Sequence, residues 1–63
     1  MRLLEAAAAA DAINKYYRNV TAQERVDLNG NIFVAVKSDK TRKVSYYYTT
    51  QELNERFKTL HFG

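Results

Sequence analysis

Residues 32–48, IFVAVKSDKTRKVSYYY, decide the fold of this chain. The first part, residues 32–36, is rich in β-branched side chains, which favour a β-strand. Ser38-Asp39-Lys40-Thr41 forms a polar turn, and residues 43–48 return as a partner strand. The stretch therefore predicts a β-hairpin over 32–48.

Upstream of this hairpin, residues 3–18 predict an amphipathic helix. Its apolar stripe consists of Leu3, Ala6, Ala10, Ile13 and Tyr17, which recur at helical spacing. The alanines favour the helix but have little to bury, so this stripe allows a neighbouring element to approach closely.

Downstream of the hairpin, Thr49-x-x-Glu52 is a capping box. A helical stripe of Leu53, Phe57 and Leu60 follows it directly. The pattern predicts a C-terminal helix.

Residues 20–30 allow two interpretations. Alternation over residues 24–28 indicates a strand, and Asn29-Gly30 is a strong hairpin signal. Thr21-x-x-Glu24 is also a capping box, and Gly30 is a suitable end for a short helix. We favour the strand. The prediction is an α+β fold: an N-terminal helix, a short antiparallel sheet of two or three strands, and a C-terminal helix.

Length and composition favour one domain over residues 1–63. The chain has 63 residues, 46% of them hydrophobic, and no cysteine. The lack of cysteine excludes disulfides, cysteine-based zinc sites and catalytic thiols, and favours an intracellular setting. No apolar run approaches the roughly 20 residues of a membrane span, so we expect a cytoplasmic protein, with a virion as the alternative location.

Projecting the hairpin registers onto the sheet gives two apolar faces. A two-residue Asn29-Gly30 turn places Val26 opposite Phe33, and a turn centred on Asp39-Lys40 places Phe33 opposite Tyr46. The predicted core face consists of Val26, Leu28, Phe33, Ala35, Val44, Tyr46 and Tyr48. The other face consists of Ile32, Val34, Val36 and Tyr47. Either the first helix covers this second face, or the face is a docking surface for a partner.

One short segment carries the net charge of +3. Within residues 37–43, which we call the basic hairpin, Lys37, Lys40, Arg42 and Lys43 are opposed only by Asp39. Basic side chains at a hairpin tip are suited to phosphates or to an acidic protein surface, and they also serve solubility alone.

No catalytic or metal-binding pattern is present. His61 is the only histidine, and it lacks the partners of a triad or zinc site. Glu52 and Glu55 lie beside Arg56 on a predicted helix, as ordinary surface charges. We therefore expect no enzyme, no cofactor and no metal.

The order of elements resembles that of the W-type head–tail joining proteins of lambda-like phages. The residues that carry the resemblance are the alanine-rich helix 3–18, the hairpin with its Lys40-Thr41-Arg42-Lys43 turn, and Thr49-x-x-Glu52-Leu53; segment 20–30 departs from the pattern. That family implies virion assembly by binding to neighbouring subunits. The strand–basic turn–strand–helix order also resembles the arm-binding domains of phage integrases, which read DNA with the sheet but lack a long N-terminal helix.

Together these observations predict a small non-enzymatic protein-binding protein, encoded by a phage or mobile element. It would act in virion assembly or as an inhibitor of a host factor. The predicted partner is a second copy of the chain or a host or viral protein, and a membrane is not expected. The predicted partner-binding residues are Ile32, Val34, Val36, Tyr47, Lys40, Arg42 and Lys43. The alternative is a nucleic-acid-binding module that uses the basic hairpin.

Overall fold

The computed structural model describes residues 1–63 and has the predicted α+β architecture. Its elements are α1 (Leu3–Tyr16), β1 (Val20–Val26), β2 (Ile32–Ser38), β3 (Val44–Tyr47) and α2 (Thr50–Arg56). The strands form one antiparallel sheet in the order β1-β2-β3. Residues 20–26 are thus a strand and not a short helix, and α1 ends two residues before the predicted position 18. Neither helix is long and apolar enough to cross a bilayer.

The two helices begin where their local sequences satisfy free backbone N–H groups. At the start of α1, the Arg2 N–H donates to Glu5 Oε1 over 3.0 Å. At the start of α2, the Glu52 N–H donates to Thr49 Oγ1 over 3.1 Å, which confirms the predicted cap. A side-chain cap such as that of Thr49 stabilises a helix by roughly 1 kcal/mol, which matters for a helix as short as α2.

Both helices pack against the same face of the sheet. The core formed there consists of Ala6, Ala9, Ala10, Ile13, Ala22, Val34, Val36, Leu53 and Phe57. Helix α1 lies over β1 and β2, while α2 lies beside β3. Because alanine has a short side chain, the backbone of α1 approaches the sheet closely enough for the valines of β2 to be enclosed.

A side chain of α1 completes the hydrogen bonding of the edge strand β1. The Ala22 N–H donates to Asn14 Oδ1 over 2.7 Å, and Asn14 Nδ2 donates to the Ala22 carbonyl over 2.8 Å. The amide thus occupies the place of a further strand at an edge that would otherwise leave these groups unpaired. This pair of bonds also fixes the position of α1 along β1.

The first hairpin, formed by β1 and β2, has a longer loop than predicted. Val26 pairs with Ile32, and Gly30 takes a positive φ of 82° in the loop between them. This is the pattern of a hairpin loop that ends in a left-handed residue. The predicted pairing of Val26 with Phe33 is wrong by one residue, and such a slip turns every side chain of β1 to the opposite face. Val26 and Leu28, predicted as core, are both exposed, because Val26 is the last residue of β1 and Leu28 lies in the loop beyond it.

The second hairpin is also longer than predicted, but its faces are unchanged. Ala35 pairs with Tyr46 and Lys37 with Val44, a shift of two residues from the predicted register. The turn closes with the Arg42 N–H donating to the Ser38 carbonyl over 2.8 Å. Arg42 has a φ of 63°, a left-handed conformation that strains a non-glycine residue.

Asp27 organises the first loop. Its Oδ1 accepts hydrogen bonds from the N–H groups of Asn29 and Asn31, each over 2.9 Å. The bond from the Asn31 backbone, followed by that from Asn29, lowers the pKa of the Asp27 carboxyl below its ordinary value. The charged form of Asp27 therefore stabilises the loop that sets the register of β1.

Replacement of Asn14 tests the link between α1 and the edge strand. Asn14→Ala leaves the Ala22 N–H and carbonyl unpaired in a partly buried position, so we expect a loss of about 2 kcal/mol in the free energy of unfolding. Urea denaturation followed by circular dichroism measures it. Asp11→Ala, an exposed change on the same helix, is the control and is expected to stay within about 0.5 kcal/mol of wild type. Equal stability of the two variants would contradict the proposed role of Asn14.

Acidification tests Asp27. Because its pKa is lowered in the folded state, its contribution is complete above the unfolded pKa of roughly 4 and is lost as pH falls through the lowered folded pKa. Asp27→Asn keeps an acceptor for the same N–H groups but does not titrate. Its free energy of unfolding should therefore change less than that of wild type between pH 6 and 2, and Asp11→Asn, which removes a carboxylate outside the loop, is measured beside it as the control. Parallel curves for Asp27→Asn and wild type would disprove this role.

Candidate binding face of the sheet

The four apolar residues predicted as a docking surface lie beneath the helices. Val34 is 0% exposed and Val36 is 5% exposed, while Ile32 and Tyr47 are half-buried and pack against the core. The prediction that Ile32, Val34, Val36 and Tyr47 form an exposed surface is therefore wrong. The reason is that α1 and α2 both cover this face, for which the sequence allowed either a helix or a partner.

The opposite face of the sheet carries no helix, and we call it the open face. It consists of nine residues in three rows that run across the strands: Thr21, Lys37 and Val44; Gln23, Ala35 and Tyr46; and Arg25, Phe33 and Tyr48. Of the predicted core face, Phe33, Ala35, Val44, Tyr46 and Tyr48 all lie here. Their shared face was predicted correctly, but its burial was not.

Three aromatic rings form a continuous cluster on the open face. The ring of Phe33 stacks on that of Tyr48, with centroids 4.9 Å apart and planes inclined by 30°. The ring of Tyr46 meets Phe33 edge-on, with centroids 5.5 Å apart. Phe33 is only 8% exposed because the tyrosines cover it, whereas Tyr48 is 39% and Tyr46 57% exposed. The tyrosine rings thus present aromatic surface to solvent.

The β1 side of the open face is polar. Thr21, Gln23 and Arg25 alternate along this strand and are all exposed. Arg25 Nη1 donates to Gln23 Oε1 over 3.3 Å, so one side chain orients the other. Thr21 Oγ1 donates to Asp39 Oδ1 over 3.3 Å and thereby ties β1 to the loop of the second hairpin. The open face is therefore polar along β1, while its aromatic cluster lies on β2 and β3.

The basic hairpin extends one end of this face. Lys37 lies within the open face, beside Val44, and Lys40, Arg42 and Lys43 are exposed in the adjoining loop. The three predicted basic site residues thus lie together, next to the row of Thr21, Lys37 and Val44. Of the basic hairpin only Lys37 lines the open face, and the three predicted residues lie in the loop that follows it.

The other end of the open face carries a negative charge. Tyr48 Oη donates to Asp27 Oδ2 over 3.4 Å. Partial burial raises the pKa of the Tyr48 hydroxyl, and the nearby Asp27 charge adds to this effect. Tyr48 therefore remains a neutral donor at physiological pH. The open face has cations at the end of the second hairpin, and it has the Asp27 carboxylate as well as Arg25 at the end of the first.

A shallow groove of about 470 Å³ runs over the middle of the open face. Its floor is Ala35, the smallest of the nine residues. Phe33 and Lys37 flank Ala35 along β2, and Gln23 and Tyr46 flank it on the neighbouring strands. A small residue at the centre of larger ones leaves a recess with polar, cationic and aromatic walls.

Sequence reasoning missed Gln23, Arg25 and Ala35 as candidate binding residues, and it assigned Tyr46 to the core. The sequence feature that indicates which face the β1 side chains join is Asp27-Leu28-Asn29-Gly30. A longer loop ending at Gly30 places Arg25 beside Phe33. The signal for the covered face is the alanine stripe of α1, which fits the flat surface of two valines better than a surface of large aromatic rings.

The structure contains no cluster of three or more His, Cys, Asp or Glu side chains arranged to hold a metal ion. Comparison of the chain with protein-family models, with curated proteins and with solved structures finds no match. The geometry and chemistry of the open face are therefore the basis for assigning a function.

Proposed function

We propose that this protein is a non-enzymatic nucleic-acid-binding module that uses the open face of its sheet. One observation carries the proposal: an exposed aromatic cluster lies on an uncovered sheet face that also holds Arg25 and Lys37 and adjoins the basic hairpin. Exposed aromatic rings stack on bases, and neighbouring cations attract the phosphates that connect them.

The distribution of charge supports this proposal. The basic hairpin has four cations and one carboxylate, a difference equal to the net charge of +3. This positive charge adjoins the open face, while Asp39 is engaged by the Thr21 hydroxyl. A localised positive potential next to a recognition surface raises the association rate with a polyanion.

The order of elements supports it as well. The strand–basic turn–strand–helix order resembles arm-binding domains of phage integrases, which read DNA with the sheet. The long α1, which those domains lack, lies on the covered face and leaves the open face accessible. The additional helix is therefore compatible with a sheet that binds nucleic acid.

Binding to a protein partner is the second candidate function. Two exposed aliphatic side chains favour it. Val44 is 43% exposed at the edge of the open face, and Leu28 is fully exposed at the tip of the first hairpin. Base stacking has no need of these side chains, whereas protein interfaces bury such groups together with tyrosine and arginine. The resemblance to W-type joining proteins favours the same candidate, with a neighbouring virion subunit as partner.

Salt dependence and charge removal test the nucleic-acid proposal. Fluorescence anisotropy with a labelled 12-nucleotide single strand and a 12-base-pair duplex, from 50 to 300 mM NaCl, should show affinity falling steeply with salt. The triple variant Lys40→Ala, Arg42→Gly, Lys43→Ala neutralises fewer phosphates. Its slope of log K against log salt should therefore shrink by about 0.7 for each single-strand phosphate that it leaves unneutralised, and by about 0.9 for each duplex phosphate.

The triple variant is expected to stay folded, because glycine adopts the left-handed conformation at position 42 without the strain of a larger residue. The matched control Arg2→Ala, Lys15→Ala, Lys58→Ala removes the same charge from outside the open face and should keep most of the binding. If neither oligonucleotide binds, or if both triple variants bind equally, the proposal is wrong.

A further inference from the structure

We infer that the nucleic acid bound by the open face is single-stranded, with one unstacked base lying in the groove above Ala35. This inference rests on the proposed function and adds the class of ligand. It starts from an observation that general nucleic-acid binding does not require, namely the recess at the centre of the face.

The recess is suited to a flat ring. Its floor is the methyl group of Ala35, and the directly paired neighbours are Gln23 on one side and Tyr46 on the other. Side chains in such directly paired positions are about 5 Å apart at Cβ, so a planar group above Ala35 touches both. The Tyr46 ring offers a stacking surface, and the Gln23 amide offers a donor and an acceptor to the edge of a base.

The basic side chains near the recess are suited to bind the phosphates of a nucleic-acid backbone that passes over it. Lys37 follows Ala35 by two positions on the same face of β2, and Arg25 lies across the strands beside Phe33. A single-stranded nucleic acid with one base above Ala35 can then place its phosphates against Lys37 and the basic hairpin. Its next base, on the other side of the recess, meets the ring of Tyr48.

A duplex fits this face less well than a single strand does, so the likeness to the arm-binding domains extends to the use of the sheet and not to the form of the nucleic acid. In a duplex each base is stacked on its neighbours, so only base edges are accessible, and their recognition requires hydrogen-bonding side chains. On the open face the hydrogen-bonding side chains are mostly on β1, with Lys37 at the end of β2, while the rings of Phe33, Tyr46 and Tyr48 make up much of the rest. Aromatic surface gains binding energy from base faces, which only an unpaired strand presents.

The test compares a labelled oligo-dT of 12 nucleotides with a 12-base-pair duplex at one salt concentration. We expect the single strand to bind more tightly to wild type. Tyr46→Ala should weaken it by about 5- to 140-fold, the range for loss of one base stack, while Tyr46→Phe should retain it. Because the chain has five tyrosines and no tryptophan, quenching of tyrosine fluorescence provides a second readout.

A substitution that fills the recess tests the inference most directly. Ala35→Val raises the floor with a residue that strands favour, so the fold should persist while single-strand affinity falls at least about fivefold. Ser45→Val adds similar bulk on the covered side of β3 and should leave binding unchanged. Circular dichroism and urea denaturation verify that both variants are folded.

The outcomes separate this inference from the function on which it rests. Tighter binding of the single strand, weakened by Ala35→Val and not by Ser45→Val, supports the inference. If the duplex binds as tightly as the single strand or more tightly, or if Ala35→Val has no effect, the single-strand inference is wrong and nucleic-acid binding stands. Absence of binding to either oligonucleotide overturns both.

Discussion

The fold depends on the close contact between the alanine stripe of α1 and the flat face of β1 and β2. Three alanines and Ile13 let the helix backbone approach the sheet, so that Val34 becomes fully enclosed. The side chain of Asn14 fixes the helix at one position along the edge strand. Because α1 and α2 share this face, the opposite face of a three-stranded sheet remains uncovered, and its chemistry is free to serve binding.

The sequence was sufficient to predict the elements, since each has a distinct local signal. Residues 32–36 are rich in β-branched side chains, the alanine run favours a helix, and Thr49 caps the second helix in the structure as predicted. Loop length was harder to predict, because Asp27-Leu28-Asn29-Gly30 is compatible with a two-residue turn and with a longer loop. The choice depends on the positive φ of Gly30 and on the hydrogen bonds of Asp27, and it decides which face Arg25 joins.

Which face of the sheet the helices cover could not be predicted from the sequence, for a different reason. Both faces of the hairpin are apolar, so hydrophobicity alone favours neither. What separates them is shape: short alanines need a flat partner such as Val34 and Val36, whereas Phe33 and Tyr46 project far from the sheet. The candidate site was thus only partly predictable. The basic residues were identified from the charge pattern, while the aromatic cluster was assigned to a core that lies on the other side.

A purely structural role for the aromatic cluster explains only part of the open face. Phe33 needs a cover because no helix lies above it, and the stacked ring of Tyr48 supplies one. Tyr46 meets Phe33 only edge-on and leaves 57% of its surface in water. If protection of the sheet were the whole requirement, a larger side chain in place of Ala35 would bury more apolar surface, at roughly 25 cal/mol for each Å². The exposed ring beside an unfilled recess is therefore consistent with the proposed binding of a ligand.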